Sequence, residues 1–221
     1  MSPTTAPLPP AEPDLPEALE PLAEAPPDLR GLELRERALR EVDLSAQPAH
    51  DLRIVESRLD EVDLSDTEAR GLALRDVRVG GGSWAGTNAD SARLERVELR
   101  GVRLTGATFR DASLTDVSFV DCRIDLAGFR FCELLNVSFD ACRLEEADFY
   151  EAKLGSVLFT GCDLTRASLA GATFTRSELR GCRLEAISNP ERLRGVRMTM
   201  ADAVQAVDVL AAVVGIEIVE P

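Results

Sequence analysis

The feature that most constrains this chain is a large apolar residue at every fifth position. From Leu29 to Leu184 this register holds Leu, Ile, Val, Phe or Trp without an insertion, and its small members are Ala49, Ala69 and Ala89. An amphipathic helix repeats every 3.6 residues and a half-buried strand every two, so neither explains a period of five. The register therefore predicts a chain that turns a corner every five residues.

A longer period shows how many corners close one turn. A second column, mostly of small residues, lies two positions before each large residue, and similar residues recur in both columns at intervals of twenty. Three series show this recurrence: Cys122, Cys142, Cys162 and Cys182; Phe119, Phe139 and Phe159; Phe109, Phe129 and Phe149. Four quintets make twenty residues, so each coil has four sides, with the two Phe series on opposite sides.

Individual quintets resemble the A(D/N)LXX unit of the pentapeptide-repeat family. Examples are Ala112-Ser113-Leu114-Thr115-Asp116, Ala147-Asp148-Phe149-Tyr150-Glu151 and Ala167-Ser168-Leu169-Ala170-Gly171. The resemblance covers residues 29–187 and implies an all-β solenoid, a right-handed quadrilateral β-helix with both columns pointing inward. About eight coils at a strand spacing of ~4.8 Å give a rod roughly 38 Å long.

The first coils depart from this pattern. Arg37, Gln47 and Ser57 stand at small-residue positions, and the run Gly80-Gly81-Gly82-Ser83-Trp84 is atypical. We therefore expect looser coils before residue 91, with a distorted side near residues 80–90.

Three segments follow from these patterns. Residues 1–28 hold nine of the twelve prolines, six acids and no Lys or Arg, which predicts a disordered acidic tail. Residues 29–187 form the solenoid. Residues 188–221 are expected to form a C-terminal helix and a short strand that cap the stack, because a solenoid end exposes unpaired backbone groups.

The C-terminal helix is predicted to begin with a capping box at Thr199 and Asp202 and to end at Gly215. It is apolar around most of its circumference, more than a cap requires, which suggests a homodimer interface. The alternative is a helix buried under residues 216–219. The candidate dimer residues are Val204, Val207, Leu210, Ala211 and Val214.

Composition narrows the function. The net charge of −14 disfavours direct binding to nucleic acid or to an anionic membrane. No apolar run is long enough to span a membrane, and no basic, apolar leader is present at the N-terminus. Five cysteines without an export signal favour reduced thiols and a cytoplasmic protein.

No catalytic constellation is found in the sequence, so we predict no enzyme activity, no cofactor and no metal. The single histidine, His50, follows Pro48 and Ala49 in a weak repeat and is expected at a solvated corner. The cysteine column could in principle bind a soft metal or form disulfides. Each Cys, however, fills a slot that Ala or Val fills elsewhere, which favours a core role.

The outward-facing columns must then carry the function. On one side Arg103, Arg123, Arg143 and Arg183 align, interrupted by Asp163, and Asp125 and Glu145 offset part of the charge. One interpretation is a solvated face of near-neutral surface ion pairs. The other is a docking strip for an acidic protein partner.

Three functions remain open. The first is a non-catalytic scaffold for protein–protein interaction. The second is implied by the resemblance: some family members, including the mycobacterial fluoroquinolone-resistance type, are dimers joined through a C-terminal helix that imitate DNA and bind DNA gyrase. The third is a redox or metal module built on the cysteine column.

Overall fold

A computed structural model describes residues 6–219, and they form a parallel β-solenoid with two short helices at its C-terminal end. The described strands are β1 (Glu20–Leu22), β2 (Glu33–Arg35), β3 (Arg37–Arg40), β4 (Arg53–Asp60), β5 (Ala73–Gly80), β6 (Arg93–Arg100), β7 (Ser113–Val120), β8 (Glu133–Asp140), β9 (Lys153–Gly155), β10 (Leu158–Thr160), β11 (Thr173–Thr175), β12 (Glu178–Arg180) and β13 (Arg197–Met198). The helices are a 3₁₀ turn (Pro190–Leu193), α1 (Met200–Gln205) and α2 (Val207–Val213).

The strands pair in register at an interval of twenty residues, which confirms the four-sided coil. Leu94 pairs with Leu114 and Leu99 with Phe119, and the same offset continues along the stack. We number the sides by their first inward residues: side one begins at Leu29, side two at Leu34, side three at Leu39 and side four at Leu44. Sides two and three carry the strands, whereas sides one and four are joined by isolated parallel bridges such as Arg103 with Arg123.

The corners explain the period of five. From Gly31 to Ala186, every fifth residue has a positive φ, so the chain turns two residues after each large inward side chain. Most of these corner residues are not glycine, although the left-handed conformation costs a non-glycine residue about 1–2 kcal/mol. The ladder offsets that cost, because successive coils hydrogen-bond to each other; for example, Arg123 N donates to Val102 O at 3.0 Å.

Both inward columns form one continuous core. The two phenylalanine series are stacked ladders on opposite sides: Phe109 and Phe129 have ring centroids 5.3 Å apart, and Phe119 and Phe139 are 4.8 Å apart. The series meet edge to face in the middle of the coil, with 6.2 Å between the ring centroids of Phe129 and Phe139. Aromatic stacking of this kind contributes beyond the area it buries.

The expected loosening before residue 91 is not observed in the strand register. Ile54 pairs with Leu74 and Leu74 with Leu94, and the bridge from Asp63 to Ser83 continues to Arg103. The distortion near residues 80–90 is confined to Gly82, which has φ +81° at a small-residue position. The ladder tolerates it because the backbone hydrogen bonds on both sides of Gly82 are kept.

The N-terminal segment differs from the expected disordered tail. Residues 1–5 lie outside the described part, but Glu20–Leu22 form β1 and pair in parallel with Arg37–Leu39. The physical reason is the open edge of β3, which offers unpaired backbone groups to any extended segment that can reach it.

The C-terminal cap also differs in detail. The capping box of Thr199 and Asp202 is present, but the helix is interrupted at Ala206 and continues as α2. The short strand predicted in this region precedes the helices as β13, which pairs with β12. Residues 216–219 form no strand.

Candidate protein-docking surface

Side four carries the predicted arginine column, and the ladder places all four arginines in one line. Consecutive bridges join Arg103, Arg123, Arg143, Asp163 and Arg183. The backbone register therefore sets these side chains about one strand spacing apart, ~4.8 Å.

The four arginines differ in their ion pairs. Arg143 lies 3.5 Å from Asp125 and 3.2 Å from Glu145, and Arg183 lies 3.5 Å from Asp163. Within the described chain, Arg103 and Arg123 have no carboxylate within ion-pair distance. The interpretation as a salt-bridged face thus fits the C-terminal half of the column, whereas the other half presents two adjacent free cations.

Two polar atoms beside these cations lack hydrogen bonds. Thr105 Oγ1 and Asp125 Oδ1 are buried and have no hydrogen-bond partner among residues 6–219, and they lie on adjacent coils of side four. Burial raises the pKa of Asp125, partly offset by Arg143, whose Nε is 3.5 Å away and too distant for a good hydrogen bond. Buried polar groups normally find a partner, and for Asp125 Oδ1 that partner is the ion pair with Arg143.

An exposed leucine stands at the other end of side four. Leu126 is 58% exposed and stands at the corner between sides four and one with φ 60°. A shallow groove of about 290 Å³ beside Arg103 and Arg123 reaches Ala141. Arginine is among the residues enriched in protein interfaces.

Side one presents a second cluster, which the sequence analysis missed. Arg110 lies over the ring of Phe131 with 5.4 Å to its centroid, and Arg130 lies over Tyr150 at 4.9 Å. The Phe131 and Tyr150 rings meet edge to face at 5.4 Å. The available signal was a phenylalanine at a corner position, outside the inward register.

The cysteine column lies in the core. Cys122, Cys132, Cys142 and Cys162 are buried and Cys182 is partly exposed; all five are free thiols. Burial raises the pKa of Cys132 to about 12, and hydrogen bonding with Cys142 together with burial raises that of Cys122. Over residues 6–219, no group of three or more potential ligands is arranged to hold a metal.

We expect only Cys182 to react in the native protein. A thiol with a raised pKa stays protonated at neutral pH and is a poor nucleophile, whereas a hydrogen bond with Cys162 lowers the pKa of Cys182. Titration with an aromatic disulfide reagent should therefore detect one thiol before denaturation and all five after it. Rapid native labelling of several thiols would instead support the redox or metal module.

The predicted dimer residues divide between two environments. Ala211 is buried and Leu210 packs against the core, so these two hold the cap in place. Val204 is 64% exposed, Val214 is 70% exposed, and Val207 is also exposed. Further exposed apolar side chains of this end are Met200, Val213, Ile216, Ile218 and Val219.

The acidic columns that a DNA mimic would present are interrupted. At the corner between sides two and three, for example, the column Glu36, Glu56, Asp76 and Asp116 is broken by Arg96. Asp76 and Arg96 form a two-pronged ion pair, with both donor–acceptor distances 2.7 Å.

Comparison with known proteins agrees with the repeat. A family model described as pentapeptide repeat region matches residues 92–169 and, in a second alignment, residues 112–189. Residues 92–189 of the chain thus match a pentapeptide repeat region. No curated protein sequence matches the chain significantly.

Solved structures of pentapeptide-repeat proteins are similar to this chain at low identity. HetL, involved in heterocyst differentiation regulation in the cyanobacterium Nostoc sp. strain PCC 7120, is 21% identical, with 85% of this chain and 92% of that chain covered and a TM-score of 0.33. QnrB1, a plasmid-mediated fluoroquinolone resistance protein, is 17% identical, with 92% and 100% covered and a TM-score of 0.38. A thylakoid-lumen protein of Arabidopsis thaliana is 21% identical, with 46% and 68% covered and a TM-score of 0.41.

Within residues 6–219, no helix has the length and hydropathy of a membrane span.

Proposed function

We propose that this chain is a pentapeptide-repeat protein and a non-catalytic scaffold that binds an acidic segment of a partner protein on side four. The observation that carries the proposal is the pair of arginines on adjacent coils, Arg103 and Arg123, which have no carboxylate within ion-pair distance among residues 6–219. Arg offers five N–H donors in a planar fork that matches a carboxylate. The free thiols accord with a cytoplasmic location.

Reversing the charges of Arg103 and Arg123 should weaken binding of the partner. The double variant Arg103→Glu and Arg123→Glu is expected to weaken partner binding at least about tenfold, because 1.4 kcal/mol corresponds to a factor of ten and like charges would now face the partner. The matched control is Arg53→Glu with Arg93→Glu, two exposed arginines on side two. A pull-down with wild type and both variants, followed by titration of the recovered protein, makes the measurement.

The outcomes separate the candidate functions. If only the variant with Arg103→Glu and Arg123→Glu loses partner binding, and if the affinity of wild type falls as salt rises, side four is the binding surface. Equal binding by all three proteins would contradict it. Inhibition of DNA gyrase supercoiling by the wild type, unaffected by either variant, would instead support the alternative of a DNA mimic acting through another surface.

We also propose a homodimer through the C-terminal helices. The exposed side chains of Val204, Val207 and Val214 leave an apolar surface of the kind that marks interaction sites. Wild type is then expected to have about twice its chain mass of 24.0 kDa by light scattering. The double variant Val204→Asp and Val207→Asp should be monomeric, whereas Gln205→Asp, an exposed position on α1, should leave the dimer intact.

A further inference from the structure

The N-terminal segment follows one corner of the solenoid. We call residues 11–22 the strap. Ala11 N donates to Asp116 Oδ1 at 3.2 Å, and Asp14 N donates to Asp76 Oδ1 at 3.1 Å. Asp76 and Asp116 occupy the same corner column, two coils apart, which is ~9.6 Å at the usual strand spacing. Three residues of extended chain span about 10 Å, so an extended strap matches the spacing of its acceptors.

Ion pairs hold the strap at two further points. Glu12 lies 3.7 Å from Arg78, and Glu20 forms an ion pair with Arg37. These two strap acids are eight positions apart, and the strap contains no Lys or Arg that would oppose the contact. Pro13 is buried between the two backbone contacts, although it belongs to a segment with the composition of a disordered tail.

The strap ends as an added strand. Glu20 N donates to Glu36 O at 2.9 Å, and Glu20–Leu22 extend side three by pairing with β3. Addition of a strand to an open sheet edge is a general mode of peptide recognition, in which backbone hydrogen bonds supply affinity and side-chain contacts supply selectivity. The strap thus makes contacts of the kind that a bound peptide makes.

We propose that the corner between sides two and three is a binding site for an extended acidic peptide, and that the strap occupies it as an intramolecular ligand. The carboxylates of Asp76 and Asp116 accept backbone N–H groups of the peptide, Arg78 and Arg37 select acids eight positions apart, and the edge of β3 accepts a strand. This site is separate from side four and does not depend on the function proposed for it.

The tethered strap blocks the site against a free peptide. A short tether gives an effective concentration in the millimolar range, so a peptide competes only when the strap is weakened. A partner that carries an acidic extended segment would gain access after release of the strap.

Three variants of the full-length protein test the proposal. Glu12→Lys with Glu20→Lys should release the strap. The control, Glu17→Lys with Glu24→Lys, makes the same charge change at exposed acids that have no ion pair within residues 6–219. The third variant adds Arg37→Glu and Arg78→Glu to the first, which restores both pairs with reversed sign.

Two measurements are made. The first is hydrogen–deuterium exchange of residues 11–22, and the second is binding of a fluorescent peptide with the sequence of residues 6–24. We expect exchange at least about tenfold faster in the released variant than in wild type or the control, since each 1.4 kcal/mol of lost protection is a factor of ten. The charge-swapped variant should return to slow exchange. The peptide should bind the released variant at least about tenfold more tightly than wild type.

Two results would overturn the proposal. Exchange in wild type as fast as in the released variant would show that the strap is not bound. Slow exchange in wild type together with no peptide binding by the released variant would show an intramolecular cap without a peptide site.

Discussion

Replacing Phe139 by alanine is expected to destabilise the protein by about 3–5 kcal/mol, the usual cost of removing a buried aromatic side chain. Phe139 is fully buried and stacks between two rings, with centroids 4.8 Å from Phe119 and 4.9 Å from Phe159. It also meets Phe129 edge to face. The substitution therefore opens a cavity in the middle of the solenoid, interrupts the ladder of Phe119, Phe139 and Phe159, and removes the edge-to-face contact with Phe129.

The cavity cannot collapse easily, which places the expected cost in the upper part of that range. Neighbouring coils are held by backbone hydrogen bonds on both sides of the gap, so the rings above and below Phe139 cannot move together without breaking the ladder. For a chain of this size, each kcal/mol lowers the melting temperature by roughly 2–4 °C.

Phe131→Ala is the matched control, because Phe131 is a phenylalanine of the same coil whose side chain is only half-buried at a corner. We expect it to lose less than about 1 kcal/mol, since surface substitutions have small effects. Thermal and denaturant unfolding of both variants, followed by circular dichroism, makes the comparison. A larger loss for Phe131→Ala than for Phe139→Ala would contradict the assignment of the core.

Replacing Gly82 by alanine is expected to cost about 2–5 kcal/mol, from a left-handed backbone and a steric clash together. A Cβ at Gly82 would lie 2.2 Å from Val62 O and 2.8 Å from Val62 N. The colliding atoms belong to the backbone of the previous coil, so no flexible side chain can move away. Side four would have to separate at this coil, next to Trp84, whose side chain is fully buried.

Gly101→Ala separates the two contributions. Gly101 has φ +67°, but a Cβ there would have no heavy atom within 4 Å. We expect only the conformational cost of about 1–2 kcal/mol at Gly101. Denaturant unfolding of the two variants measures the difference, and equal losses would show that the contact with Val62 is not tight. Long repeat arrays can unfold in more than one step, so each transition is fitted separately.

Most of the fold could be predicted because each coil repeats the same pattern of inward residues and corners. Leu114, for example, pairs with Leu94 and Leu134, twenty positions away on either side. Its environment is therefore encoded in the sequence near it. The positions of Cys122 and Arg103 in their columns followed from the same arithmetic. The candidate docking column could be placed on one side for this reason.

Features that break the repeat were less predictable. Gly82 signalled a distortion, but its extent depends on how the backbone of Val62 packs against it. The helix interruption at Ala206 does not follow from helix propensity, because alanine is the best helix former. At the break, Ala206 is buried and packs against the core.

The sequence by itself determined the period, the four sides, the inward columns and the order of charges along each side, because these depend on spacing along the chain. Only the tertiary structure decided that, among residues 6–219, Arg143 is paired while Arg103 has no carboxylate within ion-pair distance, and that the strap lies against Asp76 and Asp116. The strap contacts join residues 62 and 105 positions apart outside the repeat register. No periodicity relates such residues, and the contact exists only after the solenoid has brought its corner carboxylates into line.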